Sequence, residues 1–62
     1  MGEIRIVRAQ RYAVKTMSVE EAALELAAGR DVFLVFRNVA SDTVCVLFRR
    51  PDGNLGLIEP DA

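Results

Sequence analysis

Two apolar runs, separated by a short polar connection, dominate this chain and limit the folds that it can adopt. They are residues 32–36 (VFLVF) and residues 44–48 (VCVLF). Successive side chains of a strand point to opposite faces of a sheet, so a strand with one wet face alternates apolar and polar residues. Neither run alternates. Both faces of a sheet built from these runs therefore require burial.

The rest of the chain offers one element to cover such a sheet, because just one segment has the spacing of an amphipathic helix. A helix of about a dozen residues shields one sheet face and leaves the other open. A single domain of 62 residues buries only roughly 60% of the surface of its unfolded chain, so a monomer is marginally stable. We therefore expect the uncovered face to pair with a second copy of the chain.

The composition excludes several classes of protein. The chain has no histidine, which rules out Ser–His and Cys–His nucleophilic systems and histidine-ligated metal sites. Cys45 has no histidine nearby to activate its thiol, and inert packing explains this residue better. We expect no enzymatic activity, no cofactor, no metal and no small-molecule substrate.

Hydropathy and charge predict a cytoplasmic protein without a membrane segment. The longest apolar run has five residues, far short of the roughly 20 that span a bilayer, and nothing resembles a signal peptide. One cysteine cannot form an internal disulfide and suits a reducing compartment. The net charge of −1, with acids and bases interspersed, argues against a domain that binds polyanions over its whole surface.

Periodicity predicts a strand followed by a helix in the first half of the chain. Residues 4–14 alternate enough for the strand. Ser18 then begins the helix with a capping box, because Glu21 stands three residues later. Gly29 at the helix end favours a left-handed C-cap.

Three further strands are predicted after the helix, over residues 31–38, 43–50 and 55–58. The segment 51–54 (PDGN) is a turn, since proline presets φ at the first corner and glycine supplies a positive φ. This order predicts one α+β domain over residues 1–62, in which a mostly antiparallel four-stranded sheet carries one helix across one face.

Parity assigns the apolar side chains to the two faces of the sheet. The even-numbered residues of both runs share one face, which we place under the helix. The odd-numbered residues share the other face and continue into arginines at its margin. Because charged ends contact water, we place this second face outward. The predicted dimer interface consists of Phe33, Val35, Cys45, Leu47 and Arg37.

Arginines are the polar residues that could bind a partner. Arg5, Arg8 and Arg11 lie in the first predicted strand, and Arg49 and Arg50 end the third. Together they could contact RNA phosphates. Protection of strand edges and pairing with the nine acidic residues is the simpler explanation, because the charge balance is even.

Several segments of the chain resemble a known family. Residues 7–22 (VRxxRYxVKxMSxEEA) and 36–38 (FRN) carry part of the likeness, and residues 49–60 (RRxDGxxGLIEP) are the most specific stretch. From about residue 5 to residue 60 the chain resembles the C-terminal domain of long-form ribosome hibernation promoting factors, the sigma-54 modulation or S30EA-type ribosomal protein family.

The resemblance implies a non-enzymatic role in pairing ribosomes during stationary phase or stress. In that family a separate N-terminal domain binds the small ribosomal subunit, and two C-terminal domains dimerise so that two idle ribosomes are joined. This chain is then expected to be the homodimerising domain alone, reaching the ribosome through an N-terminal domain that it lacks. The alternative is a module that binds RNA or a ribosomal protein through the arginines named above.

The chain departs from the family at three points. Thr16 replaces a proline, Phe48 replaces a tyrosine, and the second strand is one residue longer than in many relatives. A one-residue slip moves every side chain of a strand to the other face. The face assignment therefore depends on the register of the second strand.

Overall fold

A computed structural model describes residues 2–8 and 12–61 of the chain. Within these ranges one helix and four strands form in this order: β1 (Lys15–Met17), α1 (Val19–Ala28), β2 (Phe33–Asn38), β3 (Thr43–Arg49) and β4 (Leu55–Ile58). The strands make one mixed sheet in the order β1-β2-β3-β4. β1 runs parallel to β2, and the other neighbours are antiparallel. The predicted α+β fold is confirmed.

The first strand is shorter than predicted. Strand pairing begins at Lys15, where β1 aligns with residues 36–38 of β2. Residues 2–8 and 12–14 belong to no strand or helix, so the prediction of a strand over 4–14 is wrong for them. The physical reason is that a strand needs a hydrogen-bonded neighbour, and no described strand pairs with residues 2–8. The remaining part of the predicted strand, residues 9–11 with Arg11, lies outside the described residues.

The predicted start of α1 is confirmed. The Ser18 hydroxyl accepts a 3.0 Å hydrogen bond from the Glu21 amide, and the Glu21 carboxylate accepts one of 3.0 Å from the Ser18 amide. These bonds satisfy two of the amides that a helix N-terminus leaves free. They also lower the pKa of Glu21 below its usual value, chiefly through the bond from the Ser18 backbone.

The predicted left-handed C-cap at Gly29 is wrong. Gly29 has φ −93° and ψ −171°, which is extended backbone. Its amide still donates to the carbonyls of Glu25 and Leu26, at 3.2 and 3.3 Å. The Arg49 side chain of β3, described below, also donates to the carbonyls of Leu26 and Gly29, so this helix end is capped without a left-handed residue.

The core lies between α1 and one face of the sheet. α1 contributes Ala22 and Leu26, and the sheet contributes Phe36, Cys45 and Leu47. All five are at most 3% exposed. The helix therefore covers a single face, as one amphipathic element must.

The register of β2 and β3 corrects the predicted face of β3. Phe36 pairs with Cys45, and Leu34 pairs with Leu47. Cross-strand partners share a face, so Cys45 and Leu47 lie under the helix, and placing them in an outward interface was wrong. Residues 39–42 form a loop of four residues between the two strands. A loop of this length pairs even-numbered residues of β2 with odd-numbered residues of β3. The prediction matched even with even and so slipped by one residue.

The last hairpin forms where it was predicted. The Gly53 amide donates to the Arg50 carbonyl at 3.2 Å, which places Pro51 and Asp52 at the corners of the turn. Gly53 has φ +88°, a conformation that glycine adopts without strain. β4 then runs over the predicted residues and pairs with β3.

Candidate functional site

The face of the sheet opposite α1, which we call the outward face, is built from residues paired across the strands. Cross-strand pairing places side chains within contact distance of one another. Three rows cross the face: Val35–Val46–Ile58, Phe33–Phe48–Gly56 and Arg37–Val44. Of the predicted interface residues, Phe33, Val35 and Arg37 lie here, whereas Cys45 and Leu47 lie on the helix side. Sequence reasoning missed Val44, Val46 and Phe48 because of the register error.

The outward face is apolar, and no helix or strand of the described residues covers it. Phe33, Val44 and Ile58 are 46%, 41% and 56% exposed, whereas Phe36 on the helix side is fully buried. Val35, Val46 and Phe48 are half-buried. Contiguous apolar surface of this kind marks an interaction site on a soluble protein.

A glycine and an aromatic ring shape one end of the outward face. Gly56 pairs with Phe48 across β3 and β4, and a Cβ atom built on Gly56 would lie 2.2 Å from Cζ of Phe48. The ring therefore occupies the space above the glycine backbone, where any larger residue would displace it. The pair explains why a glycine stands inside a strand.

Tyr12 extends the outward face beyond the edge of β2. Its ring stacks on Phe33, with centroids 6.3 Å apart and an interplanar angle of 22°. Its hydroxyl accepts a 3.3 Å hydrogen bond from the Val35 amide. The tyrosine thus adds apolar area and satisfies an amide at an edge that β1 is too short to cover.

Arg37 marks the rim of the outward face beside the β2–β3 loop. Its guanidinium donates to the Asp42 carbonyl at 3.2 Å and lies 3.6 Å from the Asp42 carboxylate. Both side chains are exposed, so the ion pair contributes little stability. Its predicted role in an interface stays a prediction.

Arg49 has a structural role that sequence reasoning missed. Its guanidinium donates to the carbonyls of Leu26 at 2.6 Å, Gly29 at 3.0 Å and Asp31 at 2.8 Å. α1 has no basic residue in its last turn, so Arg49 supplies the positive charge that a helix C-terminus attracts. The available signal was a helix without a basic residue in its last turn, followed later in the chain by an arginine at the end of a strand.

Arg50 is engaged in the last turn. It lies 3.0 Å from the Asp52 carboxylate, which also accepts a 3.0 Å bond from the Asn54 amide. The hydrogen bond from Arg50, followed by that from Asn54, lowers the pKa of Asp52. Arg5 and Arg8 are exposed and lie outside any strand or helix. Arg11 lies outside the described residues, and the predicted RNA contact stays a prediction.

Residues 2–8 and 12–61 contain no group of three cysteine or acidic side chains that could hold a metal ion. In the same ranges, no helix has both the length and the hydropathy needed to cross a bilayer.

Comparison with known proteins finds a matching family. The family model described as "Sigma 54 modulation/S30EA ribosomal protein C terminus" matches residues 2–57. The chain is also 44% identical, over 55 residues, to the ribosome hibernation promotion factor of Bacillus subtilis (strain 168). That match covers 89% of this chain and 29% of the relative. The chain thus spans less than a third of the relative's length.

Proposed function

Since the chain belongs to the Sigma 54 modulation/S30EA ribosomal protein C-terminus family, we propose that it is the non-enzymatic homodimerisation module of a ribosome hibernation factor. Two copies meet through their outward faces, and each parent protein holds one inactive ribosome through a separate domain. The Bacillus subtilis relative is a ribosome hibernation promotion factor, which supports this setting. The protein would act in the cytoplasm during stationary phase or stress.

The observation that carries this proposal is the uncovered outward face. One row of β-branched apolar side chains crosses three strands and consists of Val35, Val46 and Ile58. A second row adds Phe33 and Phe48. Such residues normally enter a core. A second copy would bury them without any change in the monomer fold.

The exposed surface of the chain agrees with a missing partner. Its accessible surface is 5501 Å², whereas a folded monomer of 6.9 kDa is expected to expose roughly 4,000 Å². The excess is larger than the roughly 800 Å² that each partner contributes to a standard interface. Both the outward face and residues 2–8 contribute to it.

The outward face also suits a symmetric contact. In a two-fold dimer the same patch faces itself, so the patch must be self-complementary. An apolar surface meets this requirement because burial is non-directional. A face dominated by one sign of charge would repel its copy, and here the arginine at the rim is paired with an aspartate.

A domain exchange tests the proposal. The corresponding domain of the Bacillus subtilis relative is replaced by this chain, and ribosomes are separated on sucrose gradients. We expect paired ribosomes with the unaltered chain and single ribosomes with Val46→Asp. The matched control is Leu24→Asp, which changes an exposed residue of α1 (72% exposed) and should leave pairing intact. Equal pairing by both variants would refute the proposal.

The alternative is an RNA- or ribosomal-protein-binding module that uses Arg5, Arg8, Arg11, Arg49 and Arg50. The donors of Arg49 and Arg50 are engaged within the domain, which weakens this reading. Salt separates the two functions, because phosphate binding falls steeply with salt whereas apolar association does not. Tight RNA binding by the isolated chain that is lost between low and high salt would favour the alternative.

A further inference from the structure

Residues 2–8, which we call the N-terminal arm, expose three large apolar side chains to solvent. Ile4, Ile6 and Val7 are 97%, 98% and 81% exposed. The arm forms no strand or helix. Its branched residues favour strand geometry, so what it lacks is a neighbouring strand.

A free strand edge exists on the other side of the sheet. β4 is the last strand in the order β1-β2-β3-β4, and among the described residues β3 is its one neighbour. Leu57 and Ile58 in β4 are 39% and 56% exposed. An exposed edge of this kind is a template for another segment.

The charges of the arm and of the β4 edge are complementary. The arm carries Arg5 and Arg8, with one acid, Glu3. β4 is followed directly by Glu59 and, after a proline, by Asp61. Attraction between these groups favours the arm on this edge over another copy of the arm.

The order of the strands places the arm far from β4 of its own chain. In the proposed dimer, β4 of the partner lies closer to the arm. Residue 12 lies beside β2, at the edge remote from β4. When two sheets meet face to face about a two-fold axis parallel to their strands, the order of the second is reversed, so β1 of one copy lies over β4 of the other. Packed sheets lie roughly 10 Å apart. Residue 8 is four residues from residue 12, and each residue of an extended chain spans about 3.3 Å, so the arm can reach β4 of the partner.

We propose that the N-terminal arm of one copy adds as a fifth strand to the β4 edge of a second copy. This inference rests on the proposed dimer and specifies how the two copies hold each other. The exchanged arm completes the strand predicted from the sequence for part of residues 4–14. It also covers the edge that would otherwise template aggregation.

A mixing experiment tests the exchange. One chain carries Ile6→Cys and another carries Leu57→Cys, and the equimolar mixture is treated with a short bifunctional thiol reagent. We expect a cross-linked pair of chains as the main product. The control mixture replaces Leu57→Cys by Leu24→Cys, on the exposed side of α1, and should give almost none. Native Cys45 is fully buried, and the unaltered chain measures any background from it.

The outcomes separate this inference from the proposed function. A dimer by sedimentation without the Ile6–Leu57 cross-link overturns the exchange and leaves the dimer standing. A monomer at micromolar concentration overturns both. A single chain can also carry both Ile6→Cys and Leu57→Cys. If its cross-link forms only within one chain, the arm binds its own sheet, and this result also overturns the exchange. If Leu57→Cys fails to fold by circular dichroism, Ile58→Cys replaces it.

Discussion

Two neighbouring residues of β3, Val46 and Leu47, show how differently the faces of this sheet are used. Leu47 lies beneath α1 and is 3% exposed. Val46 lies on the outward face between Val35 and Ile58, where no described element covers it. Both faces are apolar, so composition does not cause the difference. The cause is that one helix covers one face of a sheet, and no described element covers the other.

The largest effect is expected on the covered face. Leu47→Asp places an unpaired carboxylate among Ala22, Leu26 and Phe36, and an uncompensated buried charge costs several kcal/mol. In a domain of this size that loss should abolish the fold. Far-ultraviolet circular dichroism should show no cooperative thermal transition. The matched change on the outward face, Val46→Asp, should retain the helix signal and the transition.

The opposite pattern would contradict this assignment of the two faces. A folded Leu47→Asp chain together with an unfolded Val46→Asp chain would mean that the faces are exchanged, through a different β2–β3 register.

Arg49 fixes α1 to the covered face and gives the next largest effect. Arg49→Met keeps an unbranched apolar stem but removes the donors to Leu26, Gly29 and Asp31. We expect a loss of about 2 kcal/mol in the free energy of unfolding, measured in urea, because charge-assisted bonds and the helix-terminal charge are removed together. The control is Arg50→Met, whose partner Asp52 belongs to the exposed turn, and it should have a much smaller effect. Similar losses for both variants would show that the bonds from Arg49 to the helix end stabilise the fold no more than the exposed pair of Arg50 and Asp52 does.

Ser18→Ala gives a smaller change on the same side of the sheet. Loss of an N-cap hydroxyl costs about 1 kcal/mol. Because α1 lies away from the outward face, the dissociation constant of the dimer should not change. Unaltered stability in denaturant would show that the capping box contributes nothing, and weakened association would show that the two faces are coupled.

The pH dependence of the capping box is the smallest effect. The pKa of Glu21 is lowered on folding, so the unfolded chain takes up a proton at a higher pH than the folded chain. The stability from this carboxylate is therefore complete above the unfolded value of 4.5 and is lost as the pH falls through the lower folded value. The stability advantage of the unaltered chain over Glu21→Gln, measured in urea, should shrink as the pH drops below 4.5. An advantage that persists in acid would contradict this.

Local signals predicted most of the fold correctly. The capping box at Ser18 and Glu21, and the turn around Gly53, act within four residues, so residue type alone determines them. The C-terminal cap of α1 failed because the group that replaces it, Arg49, comes from a strand 20 residues away from Gly29. No local pattern contains such a contact.

The candidate site was only partly predictable for a related reason. Where one face of a sheet is polar, hydrophobicity determines the register, but here both faces are apolar, so hydrophobicity does not separate the two registers. Phe33 and Val35 were assigned to the correct face, while Cys45 and Leu47 were exchanged with Val44, Val46 and Phe48. The length of the loop 39–42 distinguishes the two registers, and the face assignment should have taken it into account.

Sedimentation equilibrium at micromolar concentration tests whether the outward face holds two copies of the chain together. The unaltered chain and Val46→Asp are run side by side at low and high salt. We expect twice the single-chain mass of 6.9 kDa for the unaltered chain at both salt concentrations, since apolar burial carries the contact. Val46→Asp should sediment as a folded single chain. A mass of 6.9 kDa for the unaltered chain would contradict the claim.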